Sequence, residues 1–134
     1  MSSLEANKQV ALDFFQALGR GDREAMHALV HEDLRWLVPD GAILHAGLHE
    51  GARQVFDDML SAVDDTFTPG SNRTEIGLVV AEGDVVMVEA RIHADAKDGR
   101  HYDNGYVFVF ELADGRIREL REHVDTRYAA AFYG

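Results

Sequence analysis

The stretch YDNGYVFVFELADGRIRELREHVDT, residues 102–126, decides the fold. Aromatic side chains occupy every second position from Tyr106 to Phe110, which is typical of a β-strand. The Asp114-Gly115 pair then favours a tight turn, and a second strand-like run covers residues 116–124. The stretch therefore predicts a hairpin of two antiparallel strands.

Two further strand-like runs precede this hairpin. Turn signals at Glu82-Gly83-Asp84 and at Asp98-Gly99 separate them from each other and from the hairpin. Since each connection is a hairpin signal, we expect an antiparallel meander with strands over residues 73–82, 84–96, 101–112 and 116–124.

The N-terminal half predicts helices. Apolar residues recur at helical spacing in a first helix, a short second helix follows the N-cap candidate Asp22, and a third helix follows a glycine-containing loop. A short strand, Leu34–Val38, ends before Pro39, and residues 126–132 can add a terminal helical turn. The apolar positions of the first and third helices are Val10, Ala11, Phe14, Phe15, Leu18, Val55, Phe56, Met59, Leu60 and Val63.

Helices followed by a long meander favour an α+β fold in one domain, residues 1–134. A meander of this length twists strongly, and helices on one face of a curled sheet leave a cone that can hold a ligand. Such a site favours a small, largely apolar molecule as the partner.

Composition excludes several classes of function. The chain has no cysteine, which excludes disulfides and thiolate chemistry, and its formal net charge of −11 disfavours nucleic acid and anionic membranes as partners. No apolar run is long enough to span a membrane, and no signal-peptide pattern is present, so a cytoplasmic location is expected. Glycine-rich nucleotide-binding motifs are absent, and no cofactor is predicted.

The second face of two strands carries more apolar side chains than a solvated face needs. In the run from residue 84 this face includes Val85 and Met87 beside charged residues, and in the next strand it includes Val107 and Val109. Apolar residues on both faces indicate that both are covered. We therefore expect a homodimer through the outer face of the sheet.

Three stretches carry a resemblance to a known family: EDLRWLVPDG (32–41), GLHEGARQVFDDML (47–60) and residues 102–126. The chain resembles the nuclear transport factor 2-like superfamily, in its SnoaL-like and ketosteroid-isomerase-like branch, and is also similar to limonene epoxide hydrolases. The resemblance implies a cone-shaped α+β barrel, with a curved antiparallel sheet wrapped around three N-terminal helices. It also implies a dimer and an active pocket inside the cone.

The resemblance further implies which side chains line the pocket. They come from the first helix, the first strand, the third helix and the meander, and they are Phe15, Leu18, Trp36, Val38, Met59, Leu60, Arg91, His93, Asn104, Tyr106, Phe108, Leu120 and Glu122.

Neither known mechanism is carried over in full. Ketosteroid isomerases need a carboxylate base and an oxyanion donor, and the matching positions here hold Val38 and Phe14. Limonene epoxide hydrolases use an Asp–Arg–Asp arrangement, in which Arg91 matches the arginine while His93 and Glu122 replace the carboxylates. Trp36 and Val38 stand where those enzymes place the tyrosine and asparagine that hold water.

Three polar residues remain, Arg91, His93 and Glu122, and this polar trio suggests a catalytic hypothesis. In this hypothesis His93 transfers the proton, and Glu122 either orients the His93 imidazole or serves as the base itself. Arg91 holds or polarises His93 and Glu122. Asn104 and Tyr106 bond a substrate oxygen. This hypothesis describes a cofactor-free isomerase, cyclase, dehydratase or hydrolase acting on a small apolar molecule with one or two oxygens.

Three alternatives stay open. The trio can be a satisfied polar network without catalysis, because ion-pair networks also perturb titrating groups. The domain can bind a ligand without turning it over, or it can be a scaffold that fills its own cone. His45 and His49 have a spacing that suits a metal, but no third ligand accompanies them, so no metal site is predicted.

Overall fold

The computed structural model describes residues 3–42 and 46–134 of the chain. Four α-helices are present in this part of the chain, together with a short 3₁₀ turn at Asp40–Ala42. The helices are α1 (Leu4–Arg20), α2 (Arg23–Ala28), α3 (Ala52–Thr66) and α4 (Thr126–Tyr133). The strands are β1 (Val30–Val38), β2 (Gly47–Glu50), β3 (Arg73–Glu82), β4 (Val85–Asp95), β5 (His101–Ala113) and β6 (Arg116–Val124).

Local sequence explains where the helices begin and end. Ser3 caps α1 by accepting a hydrogen bond from the Ala6 amide, and Gly21 ends it at φ 66°, a left-handed conformation that glycine adopts without strain. Asp22 caps α2 and Asp125 caps α4, each through its side-chain oxygen. The predicted N-cap role of Asp22 is therefore confirmed.

The six strands form one sheet in the order β2-β1-β6-β5-β4-β3. The meander from β3 to β6 is antiparallel, as predicted, but β1 pairs in parallel with β6. The α+β fold class is confirmed, with a curved and unclosed sheet, and the expectation of a wholly antiparallel sheet needs this one correction. The β1–β6 pairing joins residues 84 to 87 positions apart, so no local turn signal predicts it.

Two features of the N-terminal half differ from those expected, one strand boundary and one additional strand. β1 begins at Val30 instead of Leu34, and residues 47–50, expected in a loop, form β2 against the outer end of β1. β2 is only four residues long, and its burial alternates weakly. Such a short edge strand shows no clear two-residue period in the sequence.

The main core lies between α1, α3 and the inner face of the sheet. Phe14 is 1% exposed and contacts the rings of Trp36, Phe56 and Phe110 at centroid distances of 5.9–6.3 Å. These tilted and edge-on arrangements are favoured by the aromatic quadrupole. Helices α1 and α3 thereby pack on the inner face of the sheet, and an apolar cavity remains between them and part of that face.

Helix α4 closes the far end of the cone. Phe132 packs on Phe67 and Tyr102, while the Arg100 guanidinium lies 4.1 Å from the Phe132 ring centroid. Arg100 Nη1 also donates a 2.7 Å hydrogen bond to the Phe132 carbonyl. None of the helices described here has the length and apolarity that crossing a bilayer requires; the cytoplasmic location stays a prediction.

Candidate functional site

An apolar cavity lies inside the cone, between α1, α3, α4 and the inner face of the sheet. Its volume is about 140 Å³, and it is neither fully enclosed nor flat. It is lined by Phe14, Phe15, Leu18, Trp36, Val38, Met59, Leu60, Val63, Phe67, Asn72, Ile92, Ala94, Tyr102, Tyr106, Phe108, Glu122 and Tyr133. A cavity of this size holds one aromatic ring.

Glu122 brings a carboxyl group into this apolar lining. It lies opposite Phe108 in the β5–β6 ladder and so shares the inner face. Trp36 Nε1 donates a 2.8 Å hydrogen bond to Glu122 Oε1. Protein surrounds the carboxyl except where it faces the cavity.

The surroundings of Glu122 alter its acidity. Burial raises the pKa of the Glu122 carboxyl to about 7, and the hydrogen bond from Trp36 opposes that rise only in part. Both protonation states are therefore populated near neutral pH. A group with this property can accept and return a proton within one reaction cycle.

A chain of hydrogen bonds on β5 ends in the cavity. Asn104 Nδ2 donates to Tyr102 Oη at 3.0 Å, and the Tyr102 and Tyr106 hydroxyl oxygens are 2.5 Å apart. Because the Asn104 amide nitrogen can only donate, the Tyr102 proton is available for Tyr106, which leaves the Tyr106 proton for a ligand. Burial raises the pKa of both tyrosines, so both stay protonated.

Asn104 is the first donor of this series of hydrogen bonds and lies outside the cavity lining. It is 2% exposed, and its amide also bonds the Asp125 carbonyl and the Gly105 amide. It does not line the cavity, and neither does Leu120, which is buried in the main core. The predicted contact of these two side chains with a ligand is therefore not seen in the structure.

The predicted trio does not come together. Arg91 and His93 pair with Gly105 and Asp103 across β4 and β5, on the outer face of the sheet, whereas Glu122 faces inward. The expectation that all three meet in the pocket is wrong. The resemblance placed Arg91 and His93 in the pocket, but residues 86, 88, 90 and 94 are the buried set of β4, so the odd-numbered residues lie on the opposite, outer face.

Arg91 and His93 belong to a polar cluster on the outer face. Arg91 Nε bonds Asp103 Oδ1 at 2.6 Å. His93 Nδ1 lies 3.5 Å from the same oxygen and 3.4 Å from His101 Nε2. His93 Nε2 approaches Glu75 Oε1 to 3.1 Å without the alignment of a hydrogen bond. These contacts match the open alternative of a polar network.

The other predicted lining residues are in place. Phe15, Leu18, Trp36, Val38, Met59, Leu60, Tyr106 and Phe108 all line the cavity. Sequence reasoning missed Tyr102 and Tyr133 among the residues of this wall. Tyr102 shares the inward face with Tyr106 and Phe108, so the alternation of β5 contained a signal for it, whereas Tyr133 arrives through the docking of α4.

No group of three or more histidine and acidic side chains suits a metal ion within residues 3–42 and 46–134. His45, one of the pair with metal-like spacing, falls outside the described residues. His123, expected on the outward face, lines a groove on the outer face of the sheet.

The fold and cavity together define a class: a small cone-shaped α+β domain with an apolar interior and one inward carboxyl group among the described residues. The SnoaL-like domain family matches residues 11–120. Since this match covers most of the chain, the protein belongs to the SnoaL-like domain family, and the predicted resemblance is confirmed.

Solved structures share this fold. Bal32a, from a soil-derived mobile gene cassette, is 26% identical, with a TM-score of 0.86 over 98% of each chain. An NTF2-like protein from Burkholderia xenovorans LB400 is 27% identical, with a TM-score of 0.75 over 96% of each chain. A putative SnoaL-like polyketide cyclase from Jannaschia sp. CCS1 is 23% identical, with a TM-score of 0.77 over 93% of this chain and 90% of that chain. No curated protein matches the chain.

Proposed function

We propose that the protein binds a small apolar molecule carrying a carbonyl oxygen and catalyses proton transfer on it without a cofactor. The observation that carries the proposal is the Glu122 carboxyl, buried in the apolar cavity and hydrogen bonded by Trp36. The small-molecule-binding fold itself is supported by the family and by its structural neighbours.

The chemistry follows from two inward groups. In its ionised form Glu122 takes a proton from the carbon beside a carbonyl group, and it returns that proton to another carbon of the enolate. Tyr106, held by Tyr102, donates a hydrogen bond to the oxygen on which negative charge develops. Proton abstraction of this kind underlies isomerisation and cyclisation, and both reactions conserve the atoms of the substrate.

Hydrogen exchange tests the role of Glu122. In D₂O at pH 7.5 we expect the protein to accelerate exchange at the α-carbon of 2-tetralone, followed by proton NMR. Glu122→Gln, which keeps the shape and loses the base, should lower the rate about 100-fold or more. Glu89→Gln on the outer face is the matched control. Equal rates in wild type and Glu122→Gln contradict the proposal.

The donor can be tested separately. Tyr106→Phe should lower the same exchange rate by about 100-fold, since one oxyanion donor is worth that much. Tyr128→Phe is the control, because the Tyr128 hydroxyl bonds the Asp103 amide away from the cavity. A rate unaffected by Tyr106→Phe would leave Glu122 acting without this donor.

The second candidate function is ligand binding without catalysis. The apolar walls favour it, since they suffice for binding whether or not Glu122 transfers a proton. If ketones bind, as shown by chemical-shift changes of cavity residues, but their α-protons do not exchange faster than in buffer, this reading replaces the enzymatic one.

The proposal includes pairing of two copies through the outer face of the sheet. Leu78, Val80 and Met87 are 70%, 54% and 42% exposed there, which is unusual for large apolar side chains on neighbouring strands. Light scattering should give a dimer for wild type and a monomer for the double variant Val80→Glu/Met87→Glu. A monomeric wild type contradicts this part of the proposal.

A further inference from the structure

The cavity combines aromatic walls with an acid that lacks a positive partner. Its rings are those of Phe14, Phe15, Trp36, Phe67, Tyr102, Tyr106, Phe108 and Tyr133. Among the described residues that line it there is no lysine, arginine or histidine. The carboxyl of Glu122 therefore has a neutral donor, Trp36 Nε1, and no counterion in this lining.

An ionised carboxyl buried without a counterion is costly, and a ligand cation can supply the missing charge. Aromatic faces attract cations as well, most strongly when water is excluded. The formal net charge of −11 raises the local concentration of cations around the protein and lowers that of anions. Three independent features thus favour a positively charged ligand over an anionic one.

We propose that the cavity also binds a small tertiary arylalkylamine in its ammonium form, with Glu122 as the counterion and aromatic rings around the cationic group. The inference goes beyond proton transfer on carbonyl compounds, because it concerns the ionised carboxyl as a binding group and requires no turnover. A tertiary ammonium has one N–H, so one carboxylate oxygen satisfies it. A primary ammonium has three donors and leaves more of them unpaired in an apolar cavity.

The size of the cavity sets the scale of the amine. About 140 Å³ accommodates one aromatic ring with a short substituent. A neighbouring groove, which shares Leu18, Leu60 and Asn72 with the cavity, carries Arg20 and Arg23. These arginines are already paired, Arg20 with Asp22 at 3.6 Å and Arg23 with Asp57 at 3.2 Å, so they do not make this groove strongly positive.

The groups that face Glu122 settle how binding depends on pH. They are Trp36 from β1, Tyr102 and Tyr106 from β5, and Tyr133 from α4. Burial raises the pKa of all three tyrosines, so they stay neutral and only the carboxyl titrates. Amine binding then requires loss of the Glu122 proton.

A charge-matched ligand pair tests the proposal. N,N-dimethylbenzylamine and isobutylbenzene have nearly the same shape, and only the first is cationic at pH 8. Titration of the protein, followed by NMR shifts of cavity residues, should show the amine binding at least about tenfold more tightly than isobutylbenzene. Equal affinities, tighter binding of the hydrocarbon, or no binding of the amine overturns the proposal.

Variants and pH locate the charge. Glu122→Gln should weaken amine binding at least about tenfold and leave isobutylbenzene binding unchanged, whereas Glu89→Gln should change neither. In wild type the amine affinity should fall about tenfold per pH unit below pH 7. If Glu122→Gln does not fold, as judged by circular dichroism, the pH series on wild type decides, and a flat series overturns the proposal. Failure of ketone exchange leaves these binding results unaffected.

Discussion

Two glutamates on the same pair of strands differ in almost every physical respect. Glu111, on β5, extends toward solvent and is bonded by Arg121, which holds the pKa of its carboxyl below the ordinary value. Glu122, on β6, faces the cavity without a cation, and burial raises the pKa of its carboxyl to about 7. The comparison teaches that the face of the sheet decides whether an acid here stabilises the fold or is available for chemistry.

The largest expected effect concerns the inner face itself. Phe110 is completely buried and contacts Phe14 and Phe15. Phe110→Ala should lower the free energy of unfolding by about 3–5 kcal/mol, because the lost transfer energy and the new cavity add. Urea denaturation measures this, with Leu48→Ala, at a position 43% exposed, as the control. Similar losses in both variants contradict the inner-face core.

The two glutamates should give opposite pH dependences of stability. The folded protein holds the Glu122 proton more tightly than the unfolded chain between the ordinary value of 4.5 and about 7. The contribution of Glu122 to the free energy of unfolding therefore falls by about 3 kcal/mol as the pH rises from 4.5 through about 7. Glu122→Gln should gain stability relative to wild type by this amount from pH 4.5 to pH 8, as measured by urea denaturation.

Glu111→Gln is the counterpart of that experiment. Its carboxyl has a lowered pKa, so its contribution is present above the unfolded value and is lost as pH falls through the folded one. The variant should lose stability relative to wild type at pH 7 and match it at low pH. The effect is small, since the Glu111 side chain is 44% exposed and solvent screens its ion pair with Arg121. If both glutamate variants changed the free energy of unfolding in the same direction at pH 7, the proposed difference between Glu111 and Glu122 would be contradicted.

Trp36→Phe should sharpen the difference further. The indole N–H stabilises the ionised form of Glu122, so its removal should raise the pKa of the Glu122 carboxyl above 7. Carbon-13 NMR titration of the side-chain carboxyl measures this directly. The pH profile of ketone exchange should move in the same direction. A lowered pKa would show that Trp36 does not act through this hydrogen bond.

The smallest effect is expected on the outer face. Arg91→Gln breaks a half-exposed ion pair with Asp103 and should change the free energy of unfolding by less than about 1 kcal/mol. His93→Gln alters a neighbouring side chain on the same face that is 14% exposed. Neither should alter ketone exchange or amine binding. If either variant lowered ketone hydrogen exchange as much as Glu122→Gln does, Arg91 or His93 would have to act in the catalytic site.

Sequence reasoning predicted the fold well because its signals are local. The Asp114-Gly115 turn, the helical spacing around Phe14 and the cap at Asp22 each act within a few residues. The lining of the cavity was also largely predictable, since Trp36, Met59 and Phe108 lie on apolar faces that must be buried. The short strand β2 and the parallel partner of β1 were missed, because neither has a local signal.

The sequence by itself determined the α+β fold, the strands of the meander and the acidic, cysteine-free character of the chain. Only the tertiary structure decided that Glu122 lies apart from Arg91 and His93. A strand with apolar residues on both faces does not reveal which face turns inward, since that depends on where the helices pack. The same packing brings Trp36, 86 positions away in the chain, and Tyr133 from helix α4 to the cavity that Glu122 lines, and it thereby sets the charge, burial and acidity of the site.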